Sequence, residues 1–195
     1  MFRPNPISFL QFGLFWTILL VGAIALIRAA RKREGGDSAK KSRISTAGIV
    51  LQAIGFGACG FGQVRFALPW SAPLSLICAG LVALFGGSAI ALFIAATRAM
   101  GRNWSVVARM RSDHELVRNG PFAVVRHPIY LALFLYMLSF AIGFGHFAQL
   151  LIAVPFYWVG TIIRIHEEEK LLRAQFGEDH ARYVREVPAI IPFIR

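Results

Sequence analysis

The sequence predicts an all-α integral membrane protein, a single membrane domain of about five transmembrane helices. Three observations carry that prediction. The chain of 195 residues is 56% hydrophobic, with mean hydropathy +0.59 and only 16% charged residues, whereas soluble domains average about 25% charged. Apolar runs of roughly twenty residues, the length that crosses a bilayer, recur along it. The basic residues behind its net charge of +11 lie in short stretches between those runs. That placement fits membrane topology and anionic lipid, and argues against nucleic acid as a partner.

Ile7 to Ile27 reads as the first spanning helix and is too long for the apolar core of a cleavable signal. Arg28 to Arg43 follows as a basic, Gly/Ser-containing loop, cytoplasmic by the positive-inside rule. Ile44 to Phe66 is the second span. Its glycines (Gly48, Gly55, Gly57, Gly60, Gly62) predict close helix packing. The link Ala67 to Pro73 is nearly uncharged and carries Trp70, so it belongs outside. Leu74 to Ala96 is the third span, with Ala83, Gly86 and Gly87 as a candidate packed seam. Cys59 and Cys78 fall inside apolar runs, without metal-ligand spacing, and read as core residues.

Thr97 to Gly120, with Arg98, Arg102, Arg109, Arg111 and Arg118, is the second cytoplasmic loop. It is long for a connector, and long loops tend to be functional. Phe122 to Ile142 is the fourth segment, Gly143 to His146 a tight turn, and Phe147 to Ile163 the return, with a kink expected at Pro155. These last two segments make a C-terminal helical hairpin. Residues 1–96 thus hold three spans, and 97–195 form the half that carries the chemistry. From Lys170 onward, Leu171, Leu172, Phe176, Tyr183 and Val184 alternate with charges on an amphipathic helix. Gly177 is a candidate break, and Pro188 and Pro192 end the chain in an extended segment.

Two polar clusters fall at the cytoplasmic edge of that hairpin. Glu167, Glu168 and Glu169 follow the last apolar run, where three like charges are costly unless a cation meets them. Arg164 stands four residues before Glu168, on the same helix face. Alone, that is a solvated pair worth a few tenths of a kcal/mol. Arg126, His127, Pro128, Ile129 and Tyr130 form the second cluster. Arg126 is a fixed cation, His127 and Tyr130 donate and accept hydrogen bonds, and Pro128 holds the turn. Alone, that motif reads as an interfacial anchor. Together the clusters suit a ligand with both an anionic and a cationic end, such as S-adenosylmethionine. The phosphates of a nicotinamide cofactor would meet repulsion from the acidic triplet.

His114, Glu115, Leu116 and Val117, then Gly120 to Phe122, then Arg126 to Tyr130, then Arg164 to Glu169, Phe176, Gly177, Tyr183 and Val187 to Ile194 recur in an ordered pattern. In order and spacing they resemble the isoprenylcysteine carboxyl methyltransferase family across roughly the C-terminal half. The resemblance implies a membrane-embedded enzyme using S-adenosylmethionine to methylate the carboxylate of a lipophilic, prenylated acceptor. It implies cofactor contacts at His114, Glu115, Leu116, Val117, Phe122, His127, Pro128, Ile129, Tyr130 and Glu168, with Val107 near a further one. It implies Arg164 as the catalytic residue that recognises the acceptor carboxylate; the basic loops place that active site facing the cytoplasm. Ala132 stands where the family usually has Gly, and Phe122 and His180 stand where Tyr is common; these departures bear on the acceptor more than the cofactor.

An acceptor carboxylate, with a pKa near 4, is ionised at neutral pH and needs no general base. Three rivals remain open at this point. An NADPH-dependent sterol-type reductase shares the architecture and a related C-terminal pattern. A phospholipid N-methyltransferase would use the same cofactor, with His166 or Glu169 as base for an amine. A non-catalytic binder or transporter would be marked by an inverted repeat, and the sequence shows none.

Overall fold

The structure, a computed structural model, describes residues 5–31, 43–101 and 115–192. Five α-helices dominate it: α1 (Phe9–Arg31), α2 (Arg43–Gly60), α3 (Pro73–Met100), α4 (Pro128–Phe144) and α5 (Leu150–Glu186). Two 3-10 turns precede the last two, η1 (Gly120–Ala123) and η2 (Phe147–Gln149). Two short strands, β1 (Pro6–Ile7) and β2 (Arg65–Phe66), pair in parallel. Among the described residues, three helices are long and apolar enough to cross a membrane: α1, α3 and the η2–α5 unit. The apolar stretches Ile44–Gly60 and Pro128–Phe144 are shorter.

Some boundaries differ from the sequence expectation for local reasons. α2 stops at Gly60, short of Phe66, because Arg65 and Phe66 are drawn into the pairing with Pro6 and Ile7. α4 begins at Pro128, not Phe122. Proline at the first helical position lacks only an N–H that has no helical acceptor, and the preceding Gly120–Ala123 forms its own tight turn.

The helices pack in neighbouring pairs. α1 runs beside α3, with Ile18 against Gly86. α3 lies along α4, where the Ser139 hydroxyl donates to the Val82 carbonyl at 3.1 Å. α2 runs antiparallel along α5, Gly48 level with Gly160 and Gly55 with Ala153. The α3 seam is narrower than expected: Gly86 is buried, while Ala83 and Gly87 are exposed. One core cluster joins Phe15, Ile18, Cys78, Val82 and Ile142; a second joins Cys59, Met137, Ala141, Ala153 and Tyr157. The two cysteines are thus core residues, one in each cluster.

A tight turn ending in left-handed Gly145 does connect α4 and α5. Yet the hairpin is not the main packing unit, because α4 lies chiefly on α3 and α5 chiefly on α2. The dihedrals of α5 stay helical through Pro155, where a kink was expected. The break falls at Gly177 (φ 49°, ψ −118°), a conformation in which a side chain would be strained. Beyond it, α5 turns its last turns back toward the start of α4 and ends at extended Val187.

Candidate active site

The chain after α5 returns to the motif that precedes α4. The backbone N–H groups of Arg126 and His127 donate to the carbonyls of Pro188 and Ala189, both at 2.9 Å. Pro128 then starts α4, so His127 and Tyr130 are held at the helix mouth. The Arg126 guanidinium donates from Nη1 to the carbonyls of Val184 and Val187, near the C-terminus of α5. Those carbonyls lack helical partners, and a cation there also suits the helix dipole. The other edge of Arg126 donates to Glu169 Oε1 from Nε at 2.9 Å and Nη2 at 2.7 Å.

Glu169 is the hub of the cluster. The same Oε1 lies 3.2 Å from His127 Nε2, while His127 Nδ1 lies 3.5 Å from Glu168 Oε2. A neutral imidazole has a single N–H; carboxylates beside both ring nitrogens favour the imidazolium. Burial works against that charge, but the hydrogen bonds and charges of Glu168 and Glu169 outweigh it and raise the His127 pKa above its ordinary value. Burial also disfavours ionised Glu169, yet His127 and Arg126 bring its pKa down to about 2. The Tyr130 hydroxyl donates to Glu168 Oε1.

Arg164 approaches the same tyrosine from another side. Its guanidinium carbon lies 5.0 Å from the centre of the Tyr130 ring, a cation–π arrangement. Its Nη1 donates to Gln52 Oε1 on α2 at 2.9 Å. Arg164 is buried although it lies where the apolar part of α5 ends.

Of the sequence-predicted site residues, the structure gathers His127, Pro128, Tyr130, Glu168 and Arg164 at one end of the bundle. Ile129 is half-buried beside them. Phe122 is buried in η1, and its carbonyl accepts the Tyr183 hydroxyl at 2.6 Å. Glu115, Leu116 and Val117 lie on the irregular approach to η1, Glu115 exposed and the other two half-buried. Arg118 ties that approach to α5, with Nη2 donating to the Asp179 carbonyl at 2.5 Å and its guanidinium 5.6 Å from the Tyr183 ring centre. His114 and Val107 lie outside the described residues, as does most of each basic loop.

Sequence reasoning missed the central place of Glu169, the Gln52 contact and the His180 environment. His180 is 1% exposed, and both its ring nitrogens lack a hydrogen-bond partner among the described residues. Burial lowers its pKa, so the ring is held neutral. The signal for Glu169 was present in the acidic triplet. For Gln52 there was none beyond a single amide in an apolar run.

The profile of the isoprenylcysteine carboxyl methyltransferase (ICMT) family matches residues 81–174. Among curated relatives, the protein-S-isoprenylcysteine O-methyltransferase of Schizosaccharomyces pombe is 35% identical over 89 residues, covering 46% of this chain and 38% of that protein. The enzymes of the same name are 32% identical in Xenopus laevis, over 49% of this chain and 34% of theirs, and 33% identical in Saccharomyces cerevisiae, over 46% and 37%. The matches thus span less than half the length of each of these relatives. A solved structure of the eukaryotic intramembrane Ras methyltransferase ICMT superposes with TM-score 0.60 at 23% identity, over 95% of this chain and 68% of that one. The fold is therefore the ICMT membrane fold, and residues 81–174, which include the Arg126–Tyr130 motif and the acidic triplet, match the isoprenylcysteine carboxyl methyltransferase family.

Proposed function

We propose that the chain is an S-adenosylmethionine-dependent methyltransferase acting on the carboxylate of a lipophilic, prenylcysteine-like acceptor. The observation that carries this reading is the double use of Tyr130. Its hydroxyl is bound to Glu168, and its ring lies under Arg164. One tyrosine therefore joins a carboxylate suited to a cationic cofactor and a guanidinium suited to an anionic acceptor.

The side chains present fit the cofactor. Glu168 keeps 26% of its side chain exposed beside buried His127, with half-buried Arg126 held on the neighbouring Glu169, so an amino-acid moiety meets both signs of charge. Glu168 would hold the ammonium, with Tyr130 and His127 orienting its carboxylate, and Glu115 to Val117 and Phe122 would line the approach. The cofactor supplies an electrophilic methyl group on a sulfonium. Arg164 would grip the acceptor carboxylate through its planar fork and set its oxygen in line for transfer. Burial of Arg164 against α2 excludes water, which would otherwise solvate the nucleophile. The acceptor's apolar remainder would enter sideways from lipid. The cofactor would arrive from the cytoplasm, the side assigned by the basic loops, with residues 97–195 as the catalytic half.

An amine acceptor is disfavoured by the same electrostatics. Of the two groups that could take an amine's proton, His166 and Glu169, the second has its pKa drawn down to about 2 and is a poor base at neutral pH. Calorimetry in detergent tests the cofactor assignment. Glu168→Gln should weaken S-adenosylmethionine binding by roughly 1.5–3 kcal/mol, the range for a hydrogen bond to a charged group. S-adenosylhomocysteine, which keeps the ammonium, should weaken with it. Unchanged affinity for both would make Glu168 a surface acid and sink the assignment. Methyl transfer to a panel of lipidated thioether acids would then identify the acceptor class.

A further inference from the structure

We infer that Gln52 on α2, outside the residues matched to the family, is a positioning residue that sets the Arg164 guanidinium for the acceptor carboxylate; this rests on the acceptor role proposed for Arg164. Gln52, Thr161 and Arg164 are all buried. Gln52 Oε1 accepts from Arg164 Nη1 at 2.9 Å, and Gln52 Nε2 donates to Thr161 Oγ1 at 2.8 Å. The amide orientation follows from chemistry, because arginine can only donate and must face the oxygen. The Thr161 hydroxyl then holds the nitrogen end, so the amide cannot swing.

The helix crossing is built for this contact. A Cβ at Gly48 would stand 2.5 Å from Arg164 Cγ and 2.7 Å from the Gly160 carbonyl. A Cβ at Gly160 would stand 2.6 Å from the Gly48 carbonyl and 3.0 Å from Gln52 Cγ. Two glycines therefore bring α2 onto α5 at the level where Gln52 meets Arg164. The aliphatic stem of Arg164 runs along Gly48, its head lies over Tyr130, and Gln52 sets the remaining rotation of the fork.

A neutral amide is the suitable partner. It accepts one of the five guanidinium N–H donors and adds no charge of its own beside Arg164. A carboxylate in its place would satisfy the same bond but neutralise the charge that the acceptor must feel. Gln52 thus fixes Arg164 without competing with the substrate.

The test uses the full chain in nanodiscs without cofactor. Binding is measured for N-acetyl-S-farnesylcysteine and for its carboxamide, which lacks the negative charge. Wild-type protein should prefer the acid. Gln52→Glu, nearly isosteric, should reduce acid affinity on the order of tenfold and leave carboxamide affinity unchanged. Thr161→Val, which frees the amide without touching Arg164, should lower the acid preference several-fold, and it decides the matter if Gln52→Glu fails to fold. Parallel loss of affinity for both ligands would mean a structural role only and overturn the inference. So would full acid preference in the variants, which would leave the Arg164 reading intact. No acid preference in the wild type would remove the acceptor role of Arg164 and this inference together.

Discussion

At the end of the bundle that holds β1 and β2, uncharged polar side chains reach mostly for backbone; at the other end, charged side chains reach for one another. Gln11 Nε2 donates to the Ile142 carbonyl at 2.9 Å, and Asn5 Nδ2 to the Gly145 carbonyl at 3.1 Å. The His146 ring nitrogens lie 2.7 and 3.2 Å from the carbonyls of Cys59 and Gln63. Ser75 and Ser8 share a hydrogen bond at 2.5 Å. These groups close turns and satisfy backbone, each worth about 1 kcal/mol net. Opposite them, Arg126, His127, Glu168 and Glu169 form a network of full charges in which one carboxylate serves two cations. Such an arrangement adds little net stability and perturbs pKa values, the usual mark of a site for charged ligands.

The difference breaks most sharply at Glu169. Glu169→Gln leaves Arg126 and His127 without their shared carboxylate. Removing one partner from a largely buried pair should cost roughly 3 kcal/mol, read as reduced resistance to thermal or denaturant unfolding in detergent. The same network predicts a pH profile. His127 is raised above 6.5, so its contribution is complete below that value and lost as pH rises through the folded pKa. Glu169 is depressed from 4.5 to about 2, so its contribution is present above 4.5 and lost as pH falls toward 2. Stability should therefore be greatest between about 4.5 and 6.5, and Glu169→Gln should abolish the acid flank and weaken the alkaline one, which Glu168 also supports. A profile unchanged by the substitution would dissolve the network account.

Arg164→Lys comes next. Lysine is a point charge and cannot reproduce the planar fork or its tie to Gln52. Misplacing the nucleophile by about 1 Å costs on the order of a hundredfold in rate. The defect should appear in turnover and acceptor KM, with S-adenosylmethionine affinity retained. Normal methyl transfer, or a matching collapse of cofactor binding, would remove Arg164 from the acceptor role.

At the far end the effects should be smaller and purely structural. Gln11→Leu removes one of the two hydrogen bonds to the Ile142 carbonyl, which keeps the Gly145 N–H at 3.0 Å, and should cost about 1 kcal/mol of stability. Cofactor affinity and acceptor KM should not change. A selective kinetic defect there would show that the two ends are coupled, contrary to the division drawn above.

Much of this was legible in the sequence because lipid restricts the backbone so severely. An apolar run in hydrocarbon must satisfy its own N–H and C=O groups, so run length reads directly as helix. The two polar clusters were legible for the same reason, since charge at an apolar edge is expensive and must be met. What stayed hidden depends on rotation and on distant pairing. Glu167, Glu168 and Glu169 point in three directions around α5, and the packing of α5 decides that Glu169 faces Arg126 while Glu168 faces Tyr130. Gln52 meets Arg164 across 112 residues of sequence. The bonds from Arg126 and His127 to Pro188 and Ala189 need the break at Gly177, whose direction no local pattern specifies. The glycines of α2 show the same limit: Gly48 and Gly55 face α5, while Gly57 faces open space.

The shortness of α2 and α4 has a consequence for the surrounding bilayer. With 18 and 17 residues at 1.5 Å each, they are roughly 27 and 26 Å long, against a typical hydrocarbon core of about 30 Å. A protein whose hydrophobic span falls short of the membrane thins it or recesses beneath its surface. α2 carries Gln52, α4 carries Tyr130, and both begin at the end where Arg164 lies. A leaflet that thins to those lengths there would bring headgroups and water closer to the polar cluster. On the proposed reading, a prenyl chain dissolved in the leaflet and a zwitterion dissolved in water would then meet at one height, without either leaving its own solvent.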